Sequence, residues 1–145
     1  MKLLSTIVLT IISIFGSEWK LDFSEAKSQA ASEHKMILLS FSGSDWCGPC
    51  IKLTKDVFES TEFQTYASQK LVMVRADFPR QKKNQLEKSQ VAKNEALAEK
   101  YNPKGLFPLT VLIDNKGNIV KEWEGYQPSI PNFIADIRSH SGSVN

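Results

Sequence analysis

From Trp19 onward, the chain alternates short apolar runs with stripes of apolar residues spaced three and four apart. That order predicts strands separated by helices in an α/β domain. Ser24 stands where a helix can be capped, and Ala26, Ala30 and Ala31 follow on one side of it as far as the basic turn at His34 and Lys35. Met36 to Phe41 is continuously apolar except at Ser40, as in a strand buried on both faces. After the loop Ser42-Gly43-Ser44-Asp45, the residues Cys50, Leu53, Thr54 and Val57 recur at i, i+3, i+4 and i+7, one face of a second helix. Cys47 therefore falls where a central strand gives way to a helix N-terminus.

Leu71 to Ala76 predicts another buried strand. The segment from Gln81 to Tyr101 is rich in Lys, Glu, Gln and Ala, and Val91, Leu97, Ala98 and Tyr101 give its second half the thin apolar stripe of an exposed helix; Arg80 to Lys88 reads as loop. Leu109 to Ile113 and Ile119 to Trp123 flank Asp114-Asn115-Lys116-Gly117-Asn118, a hairpin with Asn and Gly placed for positive φ. Ile130, Phe133, Ile134 and Ile137, behind Pro128 and Pro131, predict a terminal helix on the sheet, with a frayed tail after Ser139. No repeat interrupts this order.

The N-terminus breaks the pattern. Met1 and Lys2 precede an uncharged, mostly apolar run from Leu3 to Phe15, followed by Gly16, Ser17 and the charged Glu18. The run is shorter than the roughly 20 residues a membrane-spanning helix needs, so residues 1–17 read as a secretory signal peptide cut near Gly16 or Ser17, with an uncleaved anchor or a buried strand as alternatives. Residues 18–145 then form one domain, expected in the periplasm or outside the cell, where disulfides persist.

Composition narrows the chemistry. A chain of 145 residues with 41% hydrophobic positions can bury a real core, which excludes wholesale disorder and leaves no room for two large domains. Eighteen basic against sixteen acidic residues give a net charge of +2, too even for the broad basic footprint of a nucleic-acid binder. Only two cysteines occur, Cys47 and Cys50, so a disulfide-stapled mini-protein is excluded and all cysteine chemistry belongs to this pair.

Two cysteines separated by two residues at a helix start can exchange between dithiol and disulfide, because the short loop brings both sulfurs within bonding reach. Cys47 meets the unpaired N–H groups and the positive end of the helix dipole, which favour a thiolate, while Cys50 faces into the first turn. Cys47 is thus the expected nucleophile. A fall of about 1.5 pKa units from about 8.5 raises the thiolate fraction at pH 7 from roughly 3% to about 50%. Pro49 stiffens the loop and, early in a helix, forfeits an N–H that would go unpaired anyway. Other uses of the pair fit less well. Zinc needs four ligands, and His34 and His140 lack ligand spacing; a permanent bridge closes too short a loop to stabilise much; haem attachment needs a histidine where Ile51 stands.

Trp46-Cys47-Gly48-Pro49-Cys50 at a strand-to-helix junction resembles the active-site motif of the thioredoxin family. Phe107-Pro108-Leu109-Thr110 before a strand resembles that family's cis-proline segment, and Gly117 and Gly125 resemble its hairpin and post-strand glycines. The approach Ser42-Gly43-Ser44-Asp45-Trp46 is most similar to the secreted or periplasmic branch, and the resemblance covers Trp19 to Arg138. It implies a thioredoxin-like α/β fold, a central mixed sheet flanked by helices. It also implies that Cys47 and Cys50 are catalytic, that Phe107 and Pro108 contact substrate, and that Gly48, Pro49 and Ser40 support the motif; Trp46 reads equally as a substrate contact and as a surface aromatic packed on the loop.

Two departures from the family pattern stand out. Ser40 occupies the place of a buried aspartate that assists proton transfer from the inner cysteine, and Met73 that of its lysine companion, so either water or a loop carboxylate such as Asp45 is expected to take the proton, or the resolving step is expected to be slower. The stretch from Asp77 to Pro108 is longer than its thioredoxin equivalent, and its basic cluster Arg80, Lys82, Lys83 reads as a solvated helix face, with partner docking as the sharper alternative. The resulting expectation is a monomeric thiol–disulfide oxidoreductase that reduces disulfide-containing proteins and draws electrons from a membrane or soluble donor. A disulfide oxidant or isomerase, or a binding module of the same fold, is the alternative. No metal, nucleotide or flavin site is expected.

Overall fold

A computed structural model of the protein describes residues 17–142. The signal-peptide expectation therefore lies, apart from Ser17, outside the described residues. Five strands, β1 (Trp19–Lys20), β2 (Met36–Ser42), β3 (Leu71–Asp77), β4 (Leu109–Ile113) and β5 (Ile119–Glu124), form one mixed sheet in the order β1-β3-β2-β4-β5. β1 and β2 run parallel to β3, while β4 runs antiparallel to both β2 and β5. The helices are α1 (Phe23–Glu33), α2 (Gly48–Leu53), α3 (Thr61–Lys70), α4 (Lys88–Tyr101) and α5 (Ile130–His140). None of them is long and apolar enough to cross a membrane.

Alternation along the strands divides the core in two. Ile37, Leu39, Phe41, Val72, Val74 and Val111 pack with Ala26 and Ala30 of α1 and Leu97 and Tyr101 of α4. Leu38, Met73, Leu112 and Trp123 face the other way, towards Leu53 of α2, Phe63 and Ala67 of α3, and Phe133, Ile134 and Ile137 of α5. All seven residues of β2 are buried, Ser40 and Ser42 included, as in a central strand covered on both faces.

Several boundaries differ from the sequence expectation for identifiable reasons. α1 is capped by Asp22, whose carboxylate accepts from the Glu25 amide at 3.0 Å, so Ser24 lies inside the helix and Ala31 is exposed. The helix ends at His34, which takes the left-handed conformation with φ 53°. α2 passes directly into a π-helical turn, Thr54–Phe58, where the Glu59 amide reaches back to the Thr54 carbonyl at 2.9 Å. Val57 and Phe58 are both buried at this turn, the i+7 and i+8 positions of the stripe that begins at Cys50. Phe58 then sits among Trp19, Phe63 and Phe133, with ring centroids at 5.3, 5.2 and 6.5 Å.

The hairpin turn is held by the Asp114 carboxylate, which accepts from the Lys116 and Asn118 amides at 2.9 Å each. Within this turn only Gly117 adopts positive φ, at 93°, and the two asparagines do not. A Cβ at Gly117 would also stand 3.4 Å from the Tyr101 hydroxyl, which donates to the Gly117 carbonyl at 2.8 Å. α4 and the loop before it match the expectation, with one short 3₁₀ turn, Lys82–Asn84, inside the loop.

Register explains where the site forms. Phe41 pairs with Leu109 and Ser42 with Asp77, so the C-terminal ends of β2 and β3 and the start of β4 lie at one end of the sheet. The segments leaving or entering there are residues 43–47, 78–84 and 102–108, so strand pairing starts them at the same end of the sheet.

Candidate active site

Cys47 is the N-cap residue of α2, in extended conformation with φ −97° and ψ 100°. Its amide donates to the Gly43 carbonyl at 2.9 Å, and its own carbonyl accepts from the Ile51 amide at 3.0 Å, which starts the helix. The Cys47 sulfur accepts from the Cys50 amide at 3.3 Å, occupying one of the N–H groups that no helical carbonyl can reach. Cys47 and Cys50 are joined in a disulfide across a Cα–Cα distance of 5.2 Å. In this oxidised state both sulfur residues are largely covered, Cys47 at 6% and Cys50 at 2% exposure, so the expected asymmetry is present but Cys47 is less open than the sequence reading supposed. Pro49 falls in the first turn, as expected, and Gly48 is exposed with nothing within 4 Å of an added Cβ. Glycine at 48 is therefore not demanded by packing within the chain.

Trp46 is half-buried and held on several sides. Its indole N–H donates to the Phe78 carbonyl at 2.7 Å, its ring meets Phe107 edge-on at 5.5 Å, and the Arg80 guanidinium lies 3.6 Å over its face. Phe107 also meets Phe78 edge-on at 5.5 Å. The Phe107–Pro108 peptide bond is cis, and the Pro108 carbonyl accepts from the Gly125 amide at 2.9 Å. The structure thus brings Trp46, next to Cys47 in the chain, against Phe107, next to the buried Pro108.

Ser40 is buried on the sheet face that α2 covers, between Arg75 on β3 and Thr110 on β4 in the strand register. Thr110 is wholly buried, and its hydroxyl has no hydrogen-bond partner among the described residues. Asp45 does not suit the role of proton acceptor. Backbone donation from Arg80 foremost holds its carboxyl below the usual carboxylate range, desolvation opposing and the Asn84 and Gln81 donors adding to it. A weakened base committed to another loop has little affinity for a thiol proton. The basic cluster is likewise not a helix face, because residues 80–84 form the turn that Asp45 holds.

Sequence reasoning missed three residues that shape the site. Phe78 supplies both the carbonyl for Trp46 and a ring for Phe107. Asn102 grips both backbone groups of Leu106, donating to its carbonyl at 2.8 Å and accepting from its amide at 2.9 Å, which fixes the loop entering Pro108. Asn94, buried in α4, donates to the Asp77 carbonyl at 2.9 Å and fixes the end of β3. A buried asparagine on a helix's apolar side was the available signal for Asn94; nothing local marked Phe78. Among the described residues, no three His, Cys, Asp or Glu side chains gather as metal ligands would.

Comparison with known proteins agrees with this geometry. The thioredoxin-like family profile matches residues 18–114. The disulfide bond reductase DsbH of Chlamydia pneumoniae is 38% identical over 117 residues, covering 81% of this chain and 68% of that protein. A solved DsbH oxidoreductase structure superposes with a TM-score of 0.80 at 31% identity, over 99% of this chain and 94% of the other. A thioredoxin from Thermus thermophilus shares the fold, with a TM-score of 0.65 at 17% identity over 86% of this chain and 87% of its own. With its bridged cysteine pair at a helix start and a cis-proline turn alongside, the chain belongs to the thioredoxin-like family.

Proposed function

We propose that this thiol–disulfide oxidoreductase works as a reductant of disulfides in extracytoplasmic proteins. The Cys47–Cys50 bridge at the start of α2 carries the reading, since it places one sulfur at the N-cap and the other a turn inside the helix. In the reduced protein the Cys47 thiolate attacks a substrate disulfide; one substrate sulfur leaves as thiolate and takes a proton, and the other is held in a mixed disulfide. Cys50 then loses its proton, attacks the Cys47 sulfur and releases the second substrate thiol, leaving the bridge seen here. Two electrons pass to the substrate in each cycle, so a membrane or soluble dithiol donor must restore the pair. Phe107 offers its backbone to an extended substrate segment, with Pro108 shaping the turn and Trp46 bounding the site.

The direction of exchange is supported by the Gly48-Pro49 dipeptide, which resembles that of reducing thioredoxins, and by the similarity to a protein described as a disulfide bond reductase. Equilibration with glutathione tests it. A potential near the thioredoxin value of about −270 mV is expected, and one near the strongly oxidising value of about −120 mV would assign the opposite direction.

A further inference from the structure

The turn after β3 changes what the active-site surface offers to a partner. The Asp45 carboxylate accepts from the amides of Arg80 and Gln81 at 2.9 Å each and from the Asn84 side chain at 3.0 Å. Its carbonyl accepts from the Gln81 side chain at 3.2 Å. Four hydrogen bonds therefore lock residues 80–84 to the residue immediately before Trp46. With Arg80 over one face of the indole, Phe107 at its edge, Gly43 against it and its N–H committed to Phe78, Trp46 is occupied by its own chain. The exposed group standing beside the motif in its stead is the Arg80 cation, followed by the exposed Lys82 and Lys83. None of these three cations makes an ion pair among the described residues. The one carboxylate fixed among them, Asp45, turns its oxygens to the turn's own donors.

We propose that Arg80, Lys82 and Lys83 form a docking surface for an acidic protein segment, so that the enzyme prefers disulfides flanked by Asp or Glu. This rests on the disulfide-exchange reading and adds the substrate class to it. Three unpaired cations on an anchored turn keep their position relative to the cysteines. They attract an anionic segment as it approaches and hold its disulfide near Cys47 without contacting the reacting sulfur.

The test uses the reduced protein and two synthetic peptides with the same intramolecular disulfide, one flanked by glutamates and one by lysines. At low ionic strength the glutamate peptide is expected to be reduced about tenfold faster, the scale of two or three weak surface pairs, with the ratio approaching one at about 0.5 M salt. Lys82→Glu combined with Lys83→Glu should abolish or invert the ratio, and Arg80→Gln should lower it. The lysine pair decides the matter even where loss of the Arg80 stack disturbs Trp46. Equal rates for the two peptides at low salt, or a ratio unaltered in both variants, overturns the proposal and leaves the enzyme reading standing. No reduction of either peptide overturns both.

Discussion

Gly43 is the residue on which the arrangement of Trp46 most directly depends. It is buried, and a Cβ built on it would stand 2.6 Å from Cζ2 and 2.7 Å from Nε1 of the indole, closer than real contacts allow. Gly43→Ala must therefore displace either the ring or the backbone. Displacing the ring weakens the hydrogen bond to Phe78, worth about 1 kcal/mol, the Arg80 cation–π contact, about 0.5–1 kcal/mol, and the edge contact with Phe107, about 0.5–1 kcal/mol. A net destabilisation of about 2 kcal/mol follows, lowering Tm by about 8 °C for a domain of this size. Gly43 is not in the left-handed region, so without the clash alanine ought to stabilise the fold slightly by restricting the unfolded chain, by about 0.4–1 kcal/mol. The sign should thus reverse in a Trp46→Ala background. Urea unfolding of wild type, both single variants and the double variant measures this coupling. A Gly43→Ala cost of about 2 kcal/mol that persists without the indole would refute the steric reasoning.

Three further outcomes follow from the same structure. Thr110→Val replaces a buried hydroxyl that has no partner among the described residues by an isosteric methyl, and chemical denaturation should show a gain of about 1 kcal/mol; a loss of that size would mean the hydroxyl is satisfied in solution. Asp45 has its carboxyl pKa lowered in the fold, so its stabilisation is complete above its unfolded value near 4 and disappears as pH falls through the lower folded value. The stability difference between wild type and Asp45→Asn should accordingly shrink across that acid window, and a constant difference from pH 2 to 6 would contradict the assignment. Ser40→Asp puts a carboxyl at a buried position beside Arg75, where desolvation raises its pKa and the guanidinium lowers it, and so adds a proton acceptor on the sheet face that α2 covers. Stopped-flow release of a mixed disulfide should then accelerate, and an unchanged rate would show that the proton already has another route.

Much of this architecture was legible because the signals were continuous. β2 declared itself by an apolar run broken only at Ser40, α5 by Ile130, Phe133, Ile134 and Ile137 in phase, and the hairpin by its turn residues. The cysteine pair was legible for a chemical reason, since its two-residue spacing at a helix start permits little else. What escaped depended on distant partners. α3 went unread, although Ser60 caps it through the Phe63 amide at 3.2 Å and Phe63 and Ala67 share its buried side, because a mostly polar ten-residue segment carries a weak stripe. β1 is two residues long, too short for any alternation to show. The π turn Thr54–Phe58 left no mark in the sequence, because Val57 and Phe58 also fit an ordinary helical stripe from Cys50 as its i+7 and i+8 positions. The Asp45 anchor and the Arg80 stack join residues 34 to 39 positions apart, so neither leaves a trace in local pattern.

The account depends most on the two sulfurs behaving differently once the bridge is opened. Rapid alkylation of the reduced protein across a pH series, with the modified cysteine identified by mass, measures this directly. Cys47 should be labelled first, with an apparent pKa below the free-thiol value of about 8.5, while Cys50 stays protected until the fold is lost. Preferential labelling of Cys50, or a Cys47 that titrates as an ordinary thiol, would contradict the assignment of nucleophile and resolving thiol.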